Sequence, residues 1–323
     1  MRPLVLAITA FVLLAGMTVA VLVLTAPAAE PVPEVWVAYA GDPGNPYIDA
    51  ARAGLLEASR NNTFTYEEFT PATADRLEAA LANASTDPPK LVVVQDSGTW
   101  AGAADRWAAA HPRIRFVVID GEAALRPNVR TVAIAADGVS YLAGALAATA
   151  GHGQPVAVLL GMPHPVLNGF RDGFRAGVGS VAPGAAVEVR YVGNSTQGYA
   201  DPARAAAIAE GLYQNGTSVI YAVCGGSSLG VIDAAGNATG RFVIGVDRDQ
   251  RALGPDVVLG SAVKHVEGVV QTAIEDGLGE AFAPGTVRVG LADGATDLVP
   301  NPRFAAYGSA AAARREVAEA MDR

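Results

Sequence analysis

From Glu34 onward, short runs of consecutive apolar residues alternate with longer Ala-rich stretches that carry apolar residues at helical spacing. The first group of apolar runs is EVWVAYA, KLVVVQ, RIRFVVID and VRTVAIA, each bounded by Gly, Pro, Asp or Asn. Because these runs are apolar without alternation, both faces of their sheet must be covered, as in parallel sheets packed between helices. The pattern therefore predicts βαβ units and a doubly wound α/β architecture.

The same pattern then starts a second time. After a helical stretch, SYLAGALAATAG, come the apolar runs PVAVLLG, AVEVRYVG, SVIYAVCG, RFVIGVD and VVLGSAV. A chain of 323 residues can build two lobes with separate cores. We predict lobe 1 at residues 35–138, completed by part of the segment at about 263–323, and lobe 2 at residues 139–262. Two such lobes, joined by a hinge, leave a cleft at the carboxyl ends of their strands, where open α/β sheets bind ligands.

The segment before the first lobe, residues 1–25, is almost wholly apolar, and no charged residue stands between Arg2 and Glu30. About 20 apolar residues at 1.5 Å each match a bilayer core of about 30 Å. We therefore predict a transmembrane anchor that leaves the rest of the chain outside the cytoplasm. Residues 26–28 also form a small-x-small cleavage site, so secretion after signal cleavage is the alternative. The Pro- and Ala-rich residues 26–34 predict an extended linker.

Charge and composition exclude several classes of partner and cofactor. The chain has 23 Lys and Arg against 32 Asp and Glu, with no basic run, so we predict no nucleic-acid partner. Its single cysteine, Cys224, cannot form a disulfide within the chain. His111, His152 and His164 lack metal-ligand spacing, and no cofactor is predicted.

Several motifs of the second half follow one another in a fixed order. They are GMPHPVLNGFRDGFRAGV, GNSTQGYADPARAAAIAEGLYQNGTSVIYAVCGGSSLGVIDAA, FVIGVDRDQ and VVLGSAVKHVEGVV. Together they resemble the basic membrane protein family of ABC-transporter substrate-binding proteins, which includes purine nucleoside receptors. The likeness runs from about residue 35 to 280 and is strongest over 155–270. It implies a type I periplasmic-binding-protein fold that closes on its ligand, an ABC permease and ATPase as partners, and no catalysis.

The resemblance also implies a set of ligand-binding residues. The best-studied members of the family hold a purine between two aromatic rings and bind the ribose with an Asp and a Lys. These roles fall on Tyr47 and Tyr199 for the rings, and on Asp247 and Lys264 for the ribose. The backbone turn that approaches the base falls on Gly225-Gly226.

The residue types at these positions suit that chemistry. A base stacked on an aromatic ring gains about 1–3 kcal/mol, so only the ring face of Tyr47 is expected to matter, and Trp100 is a third candidate wall. Asp247 closes an apolar strand, and a carboxylate there can accept hydrogen bonds from ribose hydroxyls. Lys264 is expected to begin the following helix, where a cation is disfavoured by the helix dipole unless it pairs with Asp247 or the ligand.

The chain departs from the family pattern in two places. The first loop reads Gly41-Asp42-Pro43-Gly44-Asn45-Pro46-Tyr47 and lacks the family's acid–lysine pair. Asp42 and Asn45 are therefore the remaining polar ligand-binding candidates in that loop. The lipid-attachment cysteine expected near the amino terminus is also missing, and the predicted anchor would replace its tethering role.

Two other functions fit parts of the sequence. Residues 226–230 match the G-x-S-x-G motif of serine hydrolases, with Ser228 as nucleophile, and Asp247 and His265 follow in triad order. Only 37 residues separate Ser228 from His265, which leaves little room for the strands that carry such a triad. The second alternative is a membrane-anchored ligand sensor or regulator with the same binding fold, which an anchor without a lipid site favours.

Overall fold

The computed structural model describes residues 32–39, 46–70, 73–84, 87–95, 102–121, 123, 125–280 and 282–323. Residues Pro33–Arg323 form one compact unit, which two six-stranded sheets divide into two lobes. No helix among the described residues is both long enough and apolar enough to span a bilayer. The predicted anchor at residues 1–25 and most of the predicted linker lie outside the described residues.

Lobe 1 is built on a sheet whose neighbouring strands are all parallel. Its strands are β1 (Glu34–Tyr39), β2 (Thr65–Phe69), β3 (Leu91–Gln95), β4 (Arg115–Ile119), β5 (Val129–Ile134) and β11 (Gly285–Val289), in the order β11-β5-β4-β3-β1-β2. Its helices are α1 (Pro46–Asn61), α2 (Ala74–Asn83), α3 (Ala103–Ala110) and α8 (Val266–Leu278), of which α8 packs against α1.

Lobe 2 repeats this plan with one antiparallel strand at its edge. Its strands are β6 (Val156–Leu160), β7 (Val187–Tyr191), β8 (Val219–Val223), β9 (Phe242–Asp247), β10 (Val258–Lys264) and β12 (Thr296–Pro300), in the order β12-β10-β9-β8-β6-β7. Its helices are α4 (Asp137–Gly151), α5 (Leu167–Val181), α6 (Pro202–Gln214), α7 (Ser228–Gly236), α9 (Ala305–Ala312) and α10 (Arg315–Met321). Strand β12 runs antiparallel to β10, while the other pairs are parallel.

The central strands explain why the apolar runs are continuous. Strands β3, β6, β8 and β10 are buried at every position, because helices cover both faces of each sheet. The sequence interpretation missed β2, β11 and β12, and all three lie at sheet edges. Each of them includes exposed or half-exposed residues, so none carries a continuous apolar run.

The chain crosses between the lobes three times. The crossovers are residues 135–136 between β5 and α4, His265 between β10 and α8, and residues 290–295 between β11 and β12. Hydrogen bonds link them: the His265 N–H donates to the Ala295 carbonyl at 2.9 Å, and the Ala135 N–H donates at 2.8 Å to the carbonyl of Val289, just before the third crossover. Lobe 1 therefore takes α8 and β11 from the last part of the chain, whereas β12, α9 and α10 belong to lobe 2.

Candidate functional site

A cavity of about 420 Å³ lies between the two lobes, at the carboxyl ends of their strands. Its volume falls in the range of about 300–1,000 Å³ that small-molecule sites occupy. Lobe 1 lines it with Tyr47 and Asp120. Lobe 2 lines it with His164, Val166, Leu167, Phe170, Tyr199, Ala200, Pro202, Val223, Gly225, Gly226, Ser228, Leu229, Val246, Asp247, Arg248, Gln250 and Lys264.

Most of the residues chosen from the sequence meet in this cavity. They are Tyr47, Tyr199, Gly225, Gly226, Asp247 and Lys264, drawn from five separate parts of the chain. Asp42, Asn45 and Trp100 lie outside the described residues, so they stay predictions.

The sequence analysis did not select Asp120, whose carboxylate accepts three hydrogen bonds at the cavity. The Tyr47 hydroxyl and the Lys264 ammonium both donate to its Oδ2, at 2.6 and 2.8 Å. The backbone N–H of Ile134 donates to its Oδ1 at 2.8 Å. The Asp120 and Lys264 side chains are only 5% and 4% exposed, so this is a buried ion pair between the lobes.

The structure corrects the predicted position and partner of Lys264. It is the last residue of β10 and not the first of a helix, since α8 begins at Val266. Its ammonium bonds to Asp120 and not to Asp247. Its Nζ lies 5.8 Å from the ring centre of Tyr47 and 5.3 Å from that of Phe170, within the range of cation–π attraction. The ion pair therefore sits between aromatic rings of both lobes.

Asp247 has a very different environment from Asp120. It ends β9 with a left-handed φ of 66° and lines the cavity. Within the described part of the chain, no group hydrogen-bonds its carboxylate. Burial raises the pKa of Asp247, the charge of Asp120 raises it further, and Lys264 and Arg248 oppose the shift. A desolvated carboxylate without donors favours any ligand that brings hydrogen-bond donors to it.

Two tyrosines contribute rings to the cavity from opposite lobes. Tyr47 is the second residue of α1, and burial, followed by the charge of Asp120, raises its pKa well above the usual value. Tyr199 ends a short 3-10 helix, Thr196–Tyr199, and burial is the main cause that raises its pKa to about 12. Both hydroxyls are therefore neutral at physiological pH.

The turn at Gly225 and Gly226 packs closely against Tyr199. Gly225 has a left-handed φ of 57° and starts the short 3-10 helix Gly225–Ser227, which leads into α7. A Cβ on Gly225 would stand 3.3 Å from the Tyr199 Cβ, closer than most real contacts. Glycine therefore satisfies both the backbone conformation and the close approach of the ring.

The residues of the hydrolase hypothesis are not assembled. Ser228 lines the cavity, but His265 lies outside its lining and its Nδ1 is 3.3 Å from the Glu267 carboxylate. In the part of the chain that the structure describes, no hydrogen bond joins Ser228, Asp247 and His265. Residues 226–230 form the end of the short 3-10 helix after β8 and the first turn of α7.

Asp120 could have been found from the sequence by comparing the two lobes. It ends RFVVID, and Asp247 ends RFVIGVD, so the same strand-and-aspartate pattern occurs once in each half. The strands β4 and β9 hold equivalent places in their sheets, and Asp120 also has a left-handed φ, of 53°.

Known proteins resemble the chain in both sequence and fold. It is 31% identical over 208 residues to the ABC transporter nucleoside-binding protein BmpA of Lactococcus lactis subsp. cremoris, covering 59% of this chain and 58% of that protein. It is 28% identical over 200 residues to basic membrane protein D of Borreliella burgdorferi, covering 60% and 58%. The match thus spans less than two thirds of either relative.

The fold matches an ABC transporter solute-binding protein of Aeropyrum pernix K1 with a TM-score of 0.70 and 23% identity, over 89% of this chain and 86% of that one. The family model described as "ABC transporter substrate-binding protein PnrA-like" matches residues 44–307, which include the three crossovers, most of both lobes and every described residue of the cavity. The chain therefore belongs to the Bmp family of PnrA-like ABC transporter substrate-binding proteins.

Proposed function

We propose that the chain binds a purine nucleoside in the cavity between its lobes, outside the cytoplasm, and delivers it to an ABC permease. The observation that carries this proposal is the Asp247 carboxylate, which faces the cavity without a hydrogen-bond donor from the described chain. A half-buried carboxylate in that state favours a ligand that supplies donors. The vicinal hydroxyls of a ribose supply two donors at a spacing that one carboxylate can accept.

The aromatic rings that line the cavity support a purine base as part of the ligand. Tyr47 and Tyr199 line it from opposite lobes, and Phe170 adds a third ring in lobe 2. A purine has two flat faces, and stacking on an aromatic ring contributes about 1–3 kcal/mol per base. The name of the Lactococcus lactis relative, a nucleoside-binding protein, supports the same ligand class.

The distribution of the lining residues supports capture by closure. Tyr47 and Asp120 belong to lobe 1, while Tyr199 and Asp247 belong to lobe 2. A ligand that touches both lobes binds the closed arrangement better than the open one and shifts the equilibrium toward it. The three crossovers are the segments that would change their backbone angles during this motion.

Tethering and delivery complete the proposal. The apolar residues 1–25 would hold the binding unit at the outer face of the membrane, close to a permease and its ATPase. Loss of nucleoside uptake in cells that lack this protein would support delivery. Normal uptake together with altered gene expression would favour the sensor alternative.

Calorimetry on the purified full-length protein tests the ligand. We expect guanosine, inosine or adenosine to bind with micromolar or better affinity, and Asp247→Asn to weaken that binding strongly. Free sugars and amino acids are the controls. Clear binding of a sugar or amino acid, with no heat from any nucleoside, would refute the purine nucleoside as ligand.

A further inference from the structure

Asp322 lies where two of the three interlobe crossovers meet. It follows α10, which packs against α4 in lobe 2. Its side chain is buried, with 5% of the residue exposed, although the helix before it is largely at the surface. A buried carboxylate that does not line the ligand cavity needs other partners, and it finds them at and next to the crossovers.

The Asp322 carboxylate accepts one hydrogen bond from each of two crossover regions. Its Oδ1 accepts from the N–H of Gly138 at 2.8 Å, in the first turn of α4 directly after the first crossover. Its Oδ2 accepts from the N–H of Leu291 at 2.9 Å, in the crossover between β11 and β12. One side chain thus holds two chain segments that are about 150 residues apart in sequence.

The Asp322 carboxylate lies so close to the backbone at positions 138 and 290 that only glycine fits at either. A Cβ added to Gly138 or Gly290 would overlap the Asp322 side chain. A Cβ on Gly138 would also overlap the Ala318 carbonyl oxygen, so the packing around Asp322 explains both glycines, and neither of them lines the ligand cavity.

Lobe 1 contributes Arg288, in strand β11, to the contacts of Asp322. Its Nε donates to the main-chain carbonyl of Asp322 at 2.9 Å. Its guanidinium also pairs with the carboxylate of Asp137, the first residue of α4. Arg288 belongs to the lobe 1 sheet while Asp137 and Asp322 belong to lobe 2, so these three residues, which we name the hinge clasp, connect the lobes.

We propose that Asp322 is the positioning residue of a hinge clasp that favours, before any ligand binds, the closed arrangement seen here, in which the buried Asp120–Lys264 ion pair joins the lobes. Lobe closure changes the backbone angles of a few crossover residues. The Asp322 carboxylate ties the crossover at Leu291 to the first turn of α4, so this crossover cannot change its backbone angles freely without breaking a hydrogen bond and leaving a buried carboxylate underpaired. The clasp therefore raises the population of the arrangement in which it is formed, and ligand affinity rises with that population. The closure part of this inference rests on the proposed function.

The test is a distance measurement on the ligand-free protein. Spin labels at Glu78→Cys in lobe 1 and Ala176→Cys in lobe 2 stand on exposed helical positions, whereas Cys224 is buried and should not take a label. We expect Asp322→Asn to replace one acceptor by a donor and to shift the interlobe distances toward longer values. Nucleoside affinity should fall about three- to ten-fold, as a lower population of the closed state requires.

Two further variants make the outcome decisive. Thr73→Ala removes the side-chain cap of α2, where the Thr73 hydroxyl accepts from the Arg76 N–H at 3.2 Å, and it should lower stability without changing the interlobe distances. If Asp322→Asn does not fold, Arg288→Gln breaks only the lobe 1 arm and should shift the distances in the same direction by less.

Unchanged distances in Asp322→Asn, or in Arg288→Gln where it stands in, would overturn the clasp. A shifted distance distribution in a protein that binds no nucleoside would support the clasp while refuting the ligand, so the two proposals fail separately.

Discussion

The two lobes place an aspartate at the same point of the same kind of strand and use it differently. Asp120 ends the β4 run and Asp247 ends β9, and both have a left-handed φ. Asp120 accepts hydrogen bonds from Tyr47, Lys264 and Ile134. Asp247 accepts none from the described chain, and burial raises its pKa. Equivalent backbones thus produce one carboxylate that belongs to the protein's own network and one that accepts no hydrogen bond from the described residues.

The largest effect should come from breaking the Asp120 network. Lys264→Met removes the ammonium and leaves the Asp120 charge buried without its counter-ion, which should lower the free energy of unfolding by about 3–5 kcal/mol. Chemical denaturation measures the change. The double variant Asp120→Asn with Lys264→Met removes both charges and should recover most of the loss. If the single variant is as stable as the wild type, the buried ion pair is not what distinguishes Asp120.

The matched change in lobe 2, Asp247→Asn, should weaken ligand binding without lowering the stability of the fold. Asp247→Asn removes the acceptor proposed for the ribose, and losing hydrogen bonds to a charged group should cost about 1.5–3 kcal/mol of binding, or about 10- to 150-fold in affinity. Asparagine tolerates the left-handed backbone at this position. Because the folded protein disfavours the ionised Asp247, the variant should be at least as stable as the wild type at neutral pH. Calorimetry and thermal unfolding measure the two effects.

The pH dependence of binding sharpens the same contrast. The folded protein raises the pKa of Asp247, so the ligand-free fold favours the protonated form. The stability that the protonated form contributes is lost as the pH rises through the raised pKa. Binding by donors needs the ionised form, so wild-type affinity should fall on acidification, starting at a higher pH than for an ordinary aspartate of pKa about 3.9. Asp247→Asn should lack this component. An identical pH profile in both proteins would assign the ligand contact to another residue.

Tyr47→Phe should have a smaller effect, on stability more than on binding. From the sequence only its ring face is expected to matter, but the structure gives its hydroxyl a bond of 2.6 Å to Asp120. Removing that donor leaves Asp120 with two others, so we expect a loss of about 1–2 kcal/mol in unfolding free energy. Nucleoside affinity should stay within a few-fold, because the ring remains. Tyr47→Ala is the control, and its loss of stacking should weaken binding clearly more.

Ser228→Ala should have the smallest effect. Ser228 lines the cavity as the first residue of α7, and His265 lies outside the cavity lining. Affinity should therefore stay within a few-fold of the wild type by calorimetry. An ester or nucleoside hydrolase activity in the wild type that disappears in this variant would instead establish Ser228 as a nucleophile.

The sequence pattern predicted the buried parts of the fold better than its edges. Central strands such as β6 and β8 are covered on both faces, so their apolar runs are continuous and easy to recognise. Edge strands β2, β11 and β12 are partly exposed, and their mixed composition resembles that of loops. Whether such a segment becomes a strand depends on a neighbouring strand that offers hydrogen bonds, which is a property of the assembled sheet.

By itself, the sequence determined the two α/β lobes, the family and the place of Asp247, because apolar runs, turn residues and motif order are local properties of the chain. Tertiary structure alone decided which of the two carboxylates, Asp120 or Asp247, is hydrogen-bonded within the described part of the chain. Asp120 and Lys264 are 144 positions apart, and they meet because the crossover after β10 brings the end of a lobe 2 strand against lobe 1. Asp247, at the equivalent strand end, accepts no hydrogen bond from the described residues, although Lys264 and Arg248 are near enough to oppose the rise in its pKa. Electrostatic environment depends on distances in space and on exclusion of water, and neither is encoded by spacing along the chain.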